Sequence, residues 1–432
     1  MQRLGVDDEH NVKPIALTRS NCLGVASGYS AAVTVDPPRQ TQRFARRRSE
    51  ILDVASNLIN VHGTRGMTLT AVARALGLDT SSVTYYFKRK DLLAAACLER
   101  TLIWLRDSAA AAGGQPDPRS RVRAFLHDQF ERHRLQRDPG VPRLAILSDM
   151  RALDADARAP LDDLYAEMAQ LVRGFFALDG TPDAQSRSLI AASMLIHNVH
   201  WTPAWLPHYL ERDLDRAEAR LFDILDKGLG AGGDWPVDIT SLDPPDSGDT
   251  QTRFLHAATN LINRESYIGA SVEKIAAELG VSTGSFYHHL DNKDDLVVAC
   301  FDRSYALLTA AQIRADGAAL DEGGRLAIMV SSLTALQFAG ESPLLRMSAY
   351  QALPIELRER MLQRTDQVTR HIAGTIADGI ADGSIRAVDP EIAGHAVIAA
   401  LDAAASLRRW AAPLALEDAV AQFTRMLRSG IF

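Results

Sequence analysis

The sequence has few cysteines and few aromatic residues. Three cysteines in 432 residues are too few for the disulfide framework that holds small secreted domains together. Aromatic residues make up 6% of the chain although hydrophobic residues make up 47%, so aliphatic residues, chiefly alanine and leucine, supply most of the apolar surface. Such a composition is typical of helices packed on helices, and we predict an all-α fold.

Long apolar runs are also missing. No run reaches the about 20 residues that a helix needs to cross a bilayer, and the N-terminus does not show a charged segment followed by an apolar one. We therefore expect no membrane association and a cytoplasmic protein. The net charge of −7 gives no sign of a generally basic surface, so any nucleic-acid contact must depend on a local basic patch.

Catalytic motifs are absent or occur in the wrong context. Residues 280–284 spell Gly-Val-Ser-Thr-Gly, but a nucleophile elbow follows a strand and this stretch follows a predicted helix. Gly228, Gly230 and Gly233 fit a dinucleotide-binding spacing, but they end a predicted helix and open a linker. Walker-type loops, His-Glu-x-x-His and Cys-x-x-Cys do not occur. We expect no enzyme activity and no cofactor.

Three histidines lie close together in the first half of the chain. His197 and His200 stand three residues apart, and His208 follows nearby. A metal site would use such a set together with a carboxylate, but core histidines or the polar lining of an apolar cavity give the same spacing. We favour the last two interpretations and predict no metal. Cys97 and Cys300 occupy apolar helical faces, which favours buried small hydrophobic residues over redox sensors.

Residues 67–90 carry the pattern of two short helices joined by a tight turn. Thr68 is placed to cap the first helix, whose apolar residues recur at helical spacing, and Gly77 can adopt the left-handed conformation that ends it. Asp79 or Thr80 can cap the second helix. The second helix would expose Thr80, Ser81, Ser82, Thr84, Tyr85 and Tyr86, and Lys-Arg-Lys follows at 88–90. A polar helix braced by an apolar one and followed by cations is typical of a helix-turn-helix DNA reader.

The same pattern returns 203 residues later, the distance from Gly77 to Gly280. Residues 271–293 align with the first copy without a gap, and the preceding helix repeats in the same register, so that Asn60 matches Asn263. A shared register over three helices does not arise by chance. We interpret the chain as an internal duplication whose period is far longer than that of solenoid repeats.

Both copies resemble the DNA-binding segment of the tetracycline-repressor (TetR) family of bacterial regulators. Residues 284–296 are close to the usual pattern of the family's reading helix, whereas the first copy has Thr84 where the family most often has tyrosine. Family members are usually homodimers in which each subunit has an N-terminal reader and a helical ligand-binding body. The resemblance therefore implies two fused subunits that pack as an intramolecular pseudo-dimer, with further self-association left open.

Breaks in the helical pattern divide the chain into six parts. They are a disordered tail (1–42), a first reader (43–90), a first body (91–233), a linker (234–250), a second reader (251–293) and a second body (294–432). The linker is rich in glycine, proline and aspartate. Predicted helices include about 49–62, 118–136, 141–156, 158–178, 183–201, 214–228, 389–411 and 414–429. By the family resemblance, the last two helices of each half should form the contact between the halves.

The two readers differ in charge. Residues 43–93 contain nine basic and four acidic residues, a net +5, whereas residues 251–297 contain four basic and six acidic residues, a net −2. Because phosphate contacts supply most non-specific DNA affinity, the first reader should dominate binding. The second could read its half-site weakly, bind only at acidic pH through His288 and His289, or survive as a packing element. We favour DNA contact, because the surface of residues 284–287 is intact.

The candidate site residues follow from the helix faces and the family resemblance. The predicted DNA contacts are Arg46, Arg47, Thr68, Thr80, Ser81, Ser82, Thr84, Tyr85, Tyr86 and Lys90 in the first copy, and Ser271, Thr283, Ser285, Tyr287, His288 and Lys293 in the second. The predicted lining of an apolar ligand pocket is Trp104, Phe130, His197, Trp201, Phe338 and Tyr350. Aromatic residues at helical spacing are equally typical of a helical core.

These features predict a ligand-responsive, DNA-binding transcriptional regulator. In the simplest form it is a repressor that a small apolar effector releases from a double-stranded DNA operator. The alternative is a partner-binding or ligand-sequestering regulator whose second helix-turn-helix no longer binds DNA. The arginine run at 43–48 favours DNA binding. Because the readers differ, we expect the operator to be an imperfect palindrome.

Overall fold

The computed structural model describes residues 39–136, 138, 140–176, 180–242, 250–282, 292–340, 343–346 and 355–432. These residues are mainly helical, and they contain no strand beyond an isolated antiparallel bridge between Gly230 and Ile385. The chain divides into two compact units, Met1–Arg46 and Arg47–Phe432. The all-α prediction is confirmed for the described part of the chain.

The first half begins with three helices of the reader and continues with five of the body. They are α1 (Arg39–Gly66), α2 (Leu69–Ala75), α3 (Thr80–Tyr86), α4 (Lys90–Gly113), α5 (Pro118–Leu135), α6 (Ala155–Arg173), α7 (Pro182–Trp205) and α8 (Leu214–Lys227). Short 3-10 turns cover Leu147–Ala152, Leu206–His208 and Glu211–Asp213. Side-chain caps explain several starts, because Thr68, Asp117 and Thr181 each accept a hydrogen bond from a first-turn amide.

The second half repeats this order. Its described helices are α9 (Thr250–Gly269), α10 (Val272–Leu279), α11 (Lys293–Asp316), α12 (Glu322–Ala339), α13 (Ile355–Asp382), α14 (Pro390–Ser406), α15 (Arg408–Ala411) and α16 (Leu416–Ser429). Among the helices described, α11 alone is long and apolar enough to cross a membrane by length and composition. Half of its most apolar window is buried inside the protein, as in a core helix.

Two helix predictions differ most from the structure. The first helix begins at Arg39, ten residues before the predicted start, because the arginine run lacks the apolar spacing from which we placed that start. The helix predicted at 141–156 is wrong, since residues 141–146 form neither helix nor strand and a 3-10 turn follows. In this segment the amide of Ala145 donates to Thr101 Oγ1 over 3.0 Å, and the amide of Arg143 donates to Asp53 Oδ1 over 2.8 Å. These bonds to other elements take the place of a helical ladder.

The duplication is visible in matching hydrogen bonds. The Cys97 thiol lies 3.7 Å from the carbonyl oxygen of Leu52, and the Cys300 thiol lies 3.7 Å from that of Leu255. Both cysteines are fully buried, and burial raises the pKa of each thiol to about 11. Both thiols therefore stay protonated at neutral pH and are poor redox sensors, as the sequence predicted.

One apolar core joins the first reader to α4 and α6 of its own body, whereas the two bodies and the second reader share another. Ile51, Met67 and Val83 are among the side chains buried inside the first reader. A second apolar core runs without a break from Phe125 of the first body to Val397 of the second. Burial of apolar surface is the main stabilising term in folding, so the bodies stabilise one another.

The bodies meet through α7 and α8 of the first half and α14 and α16 of the second; we call this contact the half–half interface. At one end of it the amide of Leu229 donates to the carbonyl of Leu427 over 2.9 Å, and the amide of Ile431 donates to the carbonyl of Leu225 over 2.8 Å. The two bonds are reciprocal, because equivalent residues of the two halves exchange donor and acceptor roles. Such reciprocity is characteristic of a two-fold, isologous contact.

Candidate nucleic-acid interface

The first reader holds α3 on a buried apolar framework. Val72 and Ala73 of α2 and Val83 of α3 are buried, and Phe87 is buried just beyond α3. Gly77 lies between the helices with φ of 65°, a conformation that glycine adopts without a steric penalty. The framework fixes which side of α3 faces outward.

The outward side of α3 is polar. Thr80, Ser81 and Tyr85 are exposed, and Tyr85 retains 67% of its accessible surface. The remaining predicted contacts on this helix, Ser82, Thr84 and Tyr86, are half-buried. The Thr84 hydroxyl donates to the carbonyl of Thr80 over 2.9 Å. Asp79 occupies the N-cap position, as one of the two predicted candidates, but its side chain makes no cap hydrogen bond.

Basic side chains border this surface. Lys88 and Arg89 are exposed between α3 and α4, and Lys90 is exposed at the start of α4. No salt bridge involves these three residues within the described part of the chain. The Arg48 guanidinium lies over the Phe87 ring, 5.2 Å from its centroid. This cation–π contact joins the arginine run of α1 to the buried Phe87 that follows α3. Arg47 pairs with Glu50 over 2.7 Å. In the other compact unit, Arg46 is exposed.

The second reader is described up to residue 282 and again from residue 292. Ser271 caps α10 by accepting from the amide of Lys274 over 3.2 Å, as Thr68 caps α2, and Gly280 ends α10 in the left-handed conformation. Lys293 begins α11 and is half-buried. The other predicted contacts of this copy lie outside the described residues: Thr283, Ser285, Tyr287 and His288.

Acidic partners offset the cations of the second reader. Lys274 Nζ lies 2.6 Å from Glu265 Oε2, and Arg264 lies 3.4 Å from Glu278. At least two of the four basic residues counted there are therefore paired with carboxylates. The readers therefore also differ in how their cations are paired. Residues 88–90 of the first reader have no carboxylate partners among the described residues.

The structure describes five of the six predicted pocket residues, which lie in the two bodies and at the half–half interface. Phe130 is buried in the first body with its ring centroid 6.2 Å from that of Trp205, and the half-buried Trp104 lies under the Arg132 guanidinium. Phe338 is buried in the second body, with its edge toward Phe423. Tyr350 lies outside the described residues.

His197 and Trp201 lie at the half–half interface. The Trp201 indole donates to His395 Nδ1 over 3.3 Å, and His197 Nε2 lies 3.1 Å from the Ser406 hydroxyl. On the opposite side of the interface, the Trp410 indole donates to the Ser186 hydroxyl over 3.1 Å. Neither the role of His395 nor this pairing can be predicted from the sequence, because no local pattern links residues about 200 positions apart. The described residues contain no group of three or more side chains that could hold a metal ion.

Two family models match the chain. The model described as "Bacterial regulatory proteins, tetR family" matches residues 51–97 and again residues 254–300, which are displaced by the same 203 residues as the sequence repeat. The model described as "Tetracyclin repressor-like, C-terminal domain" matches residues 321–431. The matches therefore cover both readers and the second body.

Individual proteins match parts of the chain. The HTH-type transcriptional regulator BetI of Burkholderia ambifaria is 32% identical over 87 residues, 20% of this chain and 45% of BetI, and BetI of Paraburkholderia phytofirmans matches to the same extent. The chain thus spans about half the length of the curated relatives it matches.

Solved structures also match. The TetR-family regulator PfmR from Thermus thermophilus is 22% identical, with a TM-score of 0.34, over 42% of this chain and 99% of PfmR. FadR from Bacillus subtilis, solved in complex with stearoyl-CoA, is 19% identical, with a TM-score of 0.35, over 42% of this chain and 98% of FadR. With two matches to the family's N-terminal domain and one to its C-terminal domain, the chain belongs to the TetR family of transcriptional regulators and carries its DNA-binding domain in tandem.

Proposed function

We propose that the protein is a cytoplasmic repressor that binds a double-stranded DNA operator and is released by a small apolar effector. The observation that carries the proposal is the outward polar face of α3, bordered by the exposed Lys88, Arg89 and Lys90. Hydroxyl groups and rings on a short helix can meet base edges in a major groove, while nearby cations meet phosphates. A local basic patch of this kind overcomes the net negative charge of the chain.

The side chains divide by role. Bases and nearby backbone are contacted by Ser82, Thr84, Tyr85 and Tyr86 of the first copy and by Thr283, Ser285, Tyr287 and His288 of the second. Phosphates are contacted by Arg46, Arg47, Lys90 and Lys293. Thr68, Thr80, Ser81 and Ser271 lie at helix N-termini, where exposed amides and hydroxyls favour phosphate oxygens.

The two halves act as an intramolecular pseudo-dimer. The reciprocal bonds of Leu229 with Leu427 and of Ile431 with Leu225 support this arrangement, as does the apolar core that the two bodies share. A two-fold arrangement would hold the reading helices about 34–36 Å apart, the distance between successive major-groove faces. Because the readers differ in charge, the preferred operator is an imperfect palindrome.

The effector acts on the helices that join each reader to its body. α4 packs along α6, and α11 packs on α12, so a ligand that moves α6 or α12 also moves a reader. Release requires that the ligand bind the displaced arrangement more tightly than the DNA-bound one. The apolar residues Trp104, Phe130 and Phe338 stay candidates for its contacts.

Selection of bound sequences from a random DNA library tests this function. We expect an enriched imperfect palindrome whose affinity falls steeply with salt, as it does for contacts to phosphates. If no sequence is enriched, or if affinity does not depend on salt, the protein is not an operator-binding regulator.

A second candidate is a regulator whose second helix-turn-helix has given up DNA and serves partner or ligand binding. The ion pairs of Lys274 and Arg264 with acidic neighbours favour it. Scrambling each half of the selected site in turn separates the candidates. If one scrambled half leaves affinity unchanged, only one reader contacts DNA; a loss with either half shows that both do.

A further inference from the structure

Each reader has an asparagine at the same position of its first helix, and this residue joins the reader to its own body. Asn60 lies on α1 and Asn263 on α9. The Asn60 side-chain amide donates to the carbonyl of Leu144 over 2.9 Å, and its oxygen accepts from the amide of Ile146 over 2.8 Å.

The second copy makes the same two bonds. The Asn263 amide donates to the carbonyl of Leu344 over 2.8 Å, and its oxygen accepts from the amide of Arg346 over 2.9 Å. An asparagine side chain offers both a donor and an acceptor, and here both bond to backbone groups two residues apart in one segment. Each reader is thereby fixed to the body of its own half.

The backbone carbonyls of the same asparagines bind the opposite half. Arg358 of α13, in the second half, donates from Nη1 to the carbonyl of Asn60 over 3.2 Å. Arg151 of the first half donates from Nη1 to the carbonyl of Asn263. The two arginines are not equivalent in the repeat, but each reader is contacted by an arginine that belongs to the other body.

Helix geometry explains why an arginine suits this position. Gly63 and Ser266 interrupt α1 and α9 with φ of 67° in both cases, three residues after Asn60 and Asn263. Carbonyls in the last turn before an interruption lack intrahelical donors. A guanidinium can donate a hydrogen bond to such a carbonyl and places a positive charge at the negative end of the helix dipole.

The surroundings make the contact more than a surface bond. The 3-10 turn Leu147–Ala152, which carries Arg151, packs along α9. Burial, with a smaller contribution from Arg346, lowers the pKa of the Arg151 guanidinium to about 10. Arg151 therefore remains charged at neutral pH, and its bond to Asn263 is a charge-assisted one.

We propose that Arg151 and Arg358 are cross-half clamps, which make the position of each reader depend on the body of the opposite half. A movement of α13 then acts on the first reader through Arg358, and a movement of residues 147–152 acts on the second reader through Arg151. The regulatory consequence rests on the proposed function: an effector in the second body would control the more basic, first reader.

Hydrogen–deuterium exchange of the free protein tests the clamps without DNA or ligand. Arg358→Ala should speed amide exchange in residues 51–66 roughly tenfold, as the loss of one charge-assisted bond allows, and should leave residues 254–269 unchanged. Arg151→Ala should do the reverse. Arg360→Ala, which removes an exposed arginine of the same helix, is the control and should change neither segment.

The result that would overturn the clamps is faster exchange in the reader of the variant's own half, or equal changes in both readers. If Arg358→Ala does not fold, Arg358→Gln keeps a donor without the charge. This variant should show the same one-sided change at smaller size, and its absence would equally overturn the proposal.

Binding to the selected operator separates the clamps from the proposed function. With the second half-site scrambled, Arg358→Ala should weaken binding several-fold and Arg151→Ala should not. If the wild-type chain binds no operator, the proposed function fails while the exchange experiment still decides the clamps. If amide exchange changes only in the reader of the opposite half but Arg358→Ala and Arg151→Ala bind the operator equally well, the clamps exist but do not control DNA binding by the readers.

Discussion

Gly228 lies directly against the backbone carbonyl of Arg428, where the end of α8 meets the end of α16. The reciprocal contact sets Gly430 against the backbone carbonyl of Asp226. Both glycines have φ in the left-handed region, 68° and 91°. A Cβ at either position would overlap the backbone of the other half. Each half therefore has a glycine at the same place in the interface. The absence of a side chain there allows the ends of α8 and α16 to approach and exchange backbone hydrogen bonds.

Alanine at Gly430 should destabilise the half–half interface. We expect Gly430→Ala to lower the free energy of unfolding by about 2 kcal/mol or more, because a side chain at this φ is strained and has no room. Urea denaturation measures the change. Gly374→Ala in α13 is the matched control, since no atom lies within 4 Å of its Cβ position, and it should be neutral or stabilising. Similar losses for the two variants would show that the close approach is unimportant.

Glycine at Ser266 should stabilise the protein. Ser266 is the only residue other than glycine with positive φ in the described part of the chain, and its buried hydroxyl has no hydrogen-bond partner there. Ser266→Gly removes both penalties and should raise the free energy of unfolding by about 1 kcal/mol. The reverse substitution at the equivalent position, Gly63→Ser, should lower it. Thermal unfolding of the two variants checks the signs, and a loss of stability in Ser266→Gly would contradict the strain.

The half–half interface should weaken at acidic pH. Burial lowers the pKa of His200 to about 3, helped by His197, and that of His395 to about 4. The unfolded chain takes up these protons near its ordinary pKa of about 6.5, whereas the folded chain takes them up only at lower pH. The stability that depends on neutral histidines should therefore be complete above about pH 6.5. The free energy of unfolding should fall as the pH decreases toward 4, by at most about 1.4 kcal/mol for each pH unit and each histidine.

Urea denaturation between pH 7.5 and pH 5 measures this slope. His395→Gln keeps an acceptor for the Trp201 indole and removes one titrating group, so its stability should vary less with pH than that of the wild type. A wild-type stability that is flat over this range would show that these histidines do not oppose protonation.

The first reader should supply most of the phosphate contacts. Lys90→Ala should weaken operator binding several-fold and reduce the salt dependence by about 0.9 in logarithmic slope, as expected for one lost phosphate contact. Lys274→Ala is the matched control in the second reader, where the ammonium is already paired with Glu265 over 2.6 Å. Fluorescence anisotropy over a range of salt compares them. Equal losses would mean that the charge difference between the readers is irrelevant to binding.

Local patterns predicted the framework of the first reader. Thr68 caps its helix, Gly77 takes the left-handed conformation, and Val72 is buried, because each depends on neighbours within a few residues. The burial of Cys97 and Cys300 could also be predicted, because both occupy apolar helical faces at equivalent positions of the repeat.

Individual hydrogen bonds between distant segments could not be predicted from local patterns. Residues 141–146 have an apolar content that fits a helix, yet their amides bond to Asp53, Asn60 and Thr101, which lie at least about 40 positions away. His197 and Trp201 were assigned to a pocket lining, and only the packing of α7 on α14 shows that they meet the other half. The alignment of the two copies does, however, place Ser266 opposite Gly63. The sequence alone therefore shows a serine where the first copy has a glycine at a turn.

The stoichiometry of the operator complex tests the account most directly. If the two halves of one chain form the pseudo-dimer, sedimentation of the complex should show a single 47.1 kDa chain bound to each imperfect palindrome. This stoichiometry should hold at all protein concentrations that saturate the site. Two chains on each operator, with a symmetric selected sequence, would show that the halves pair between molecules and would contradict it.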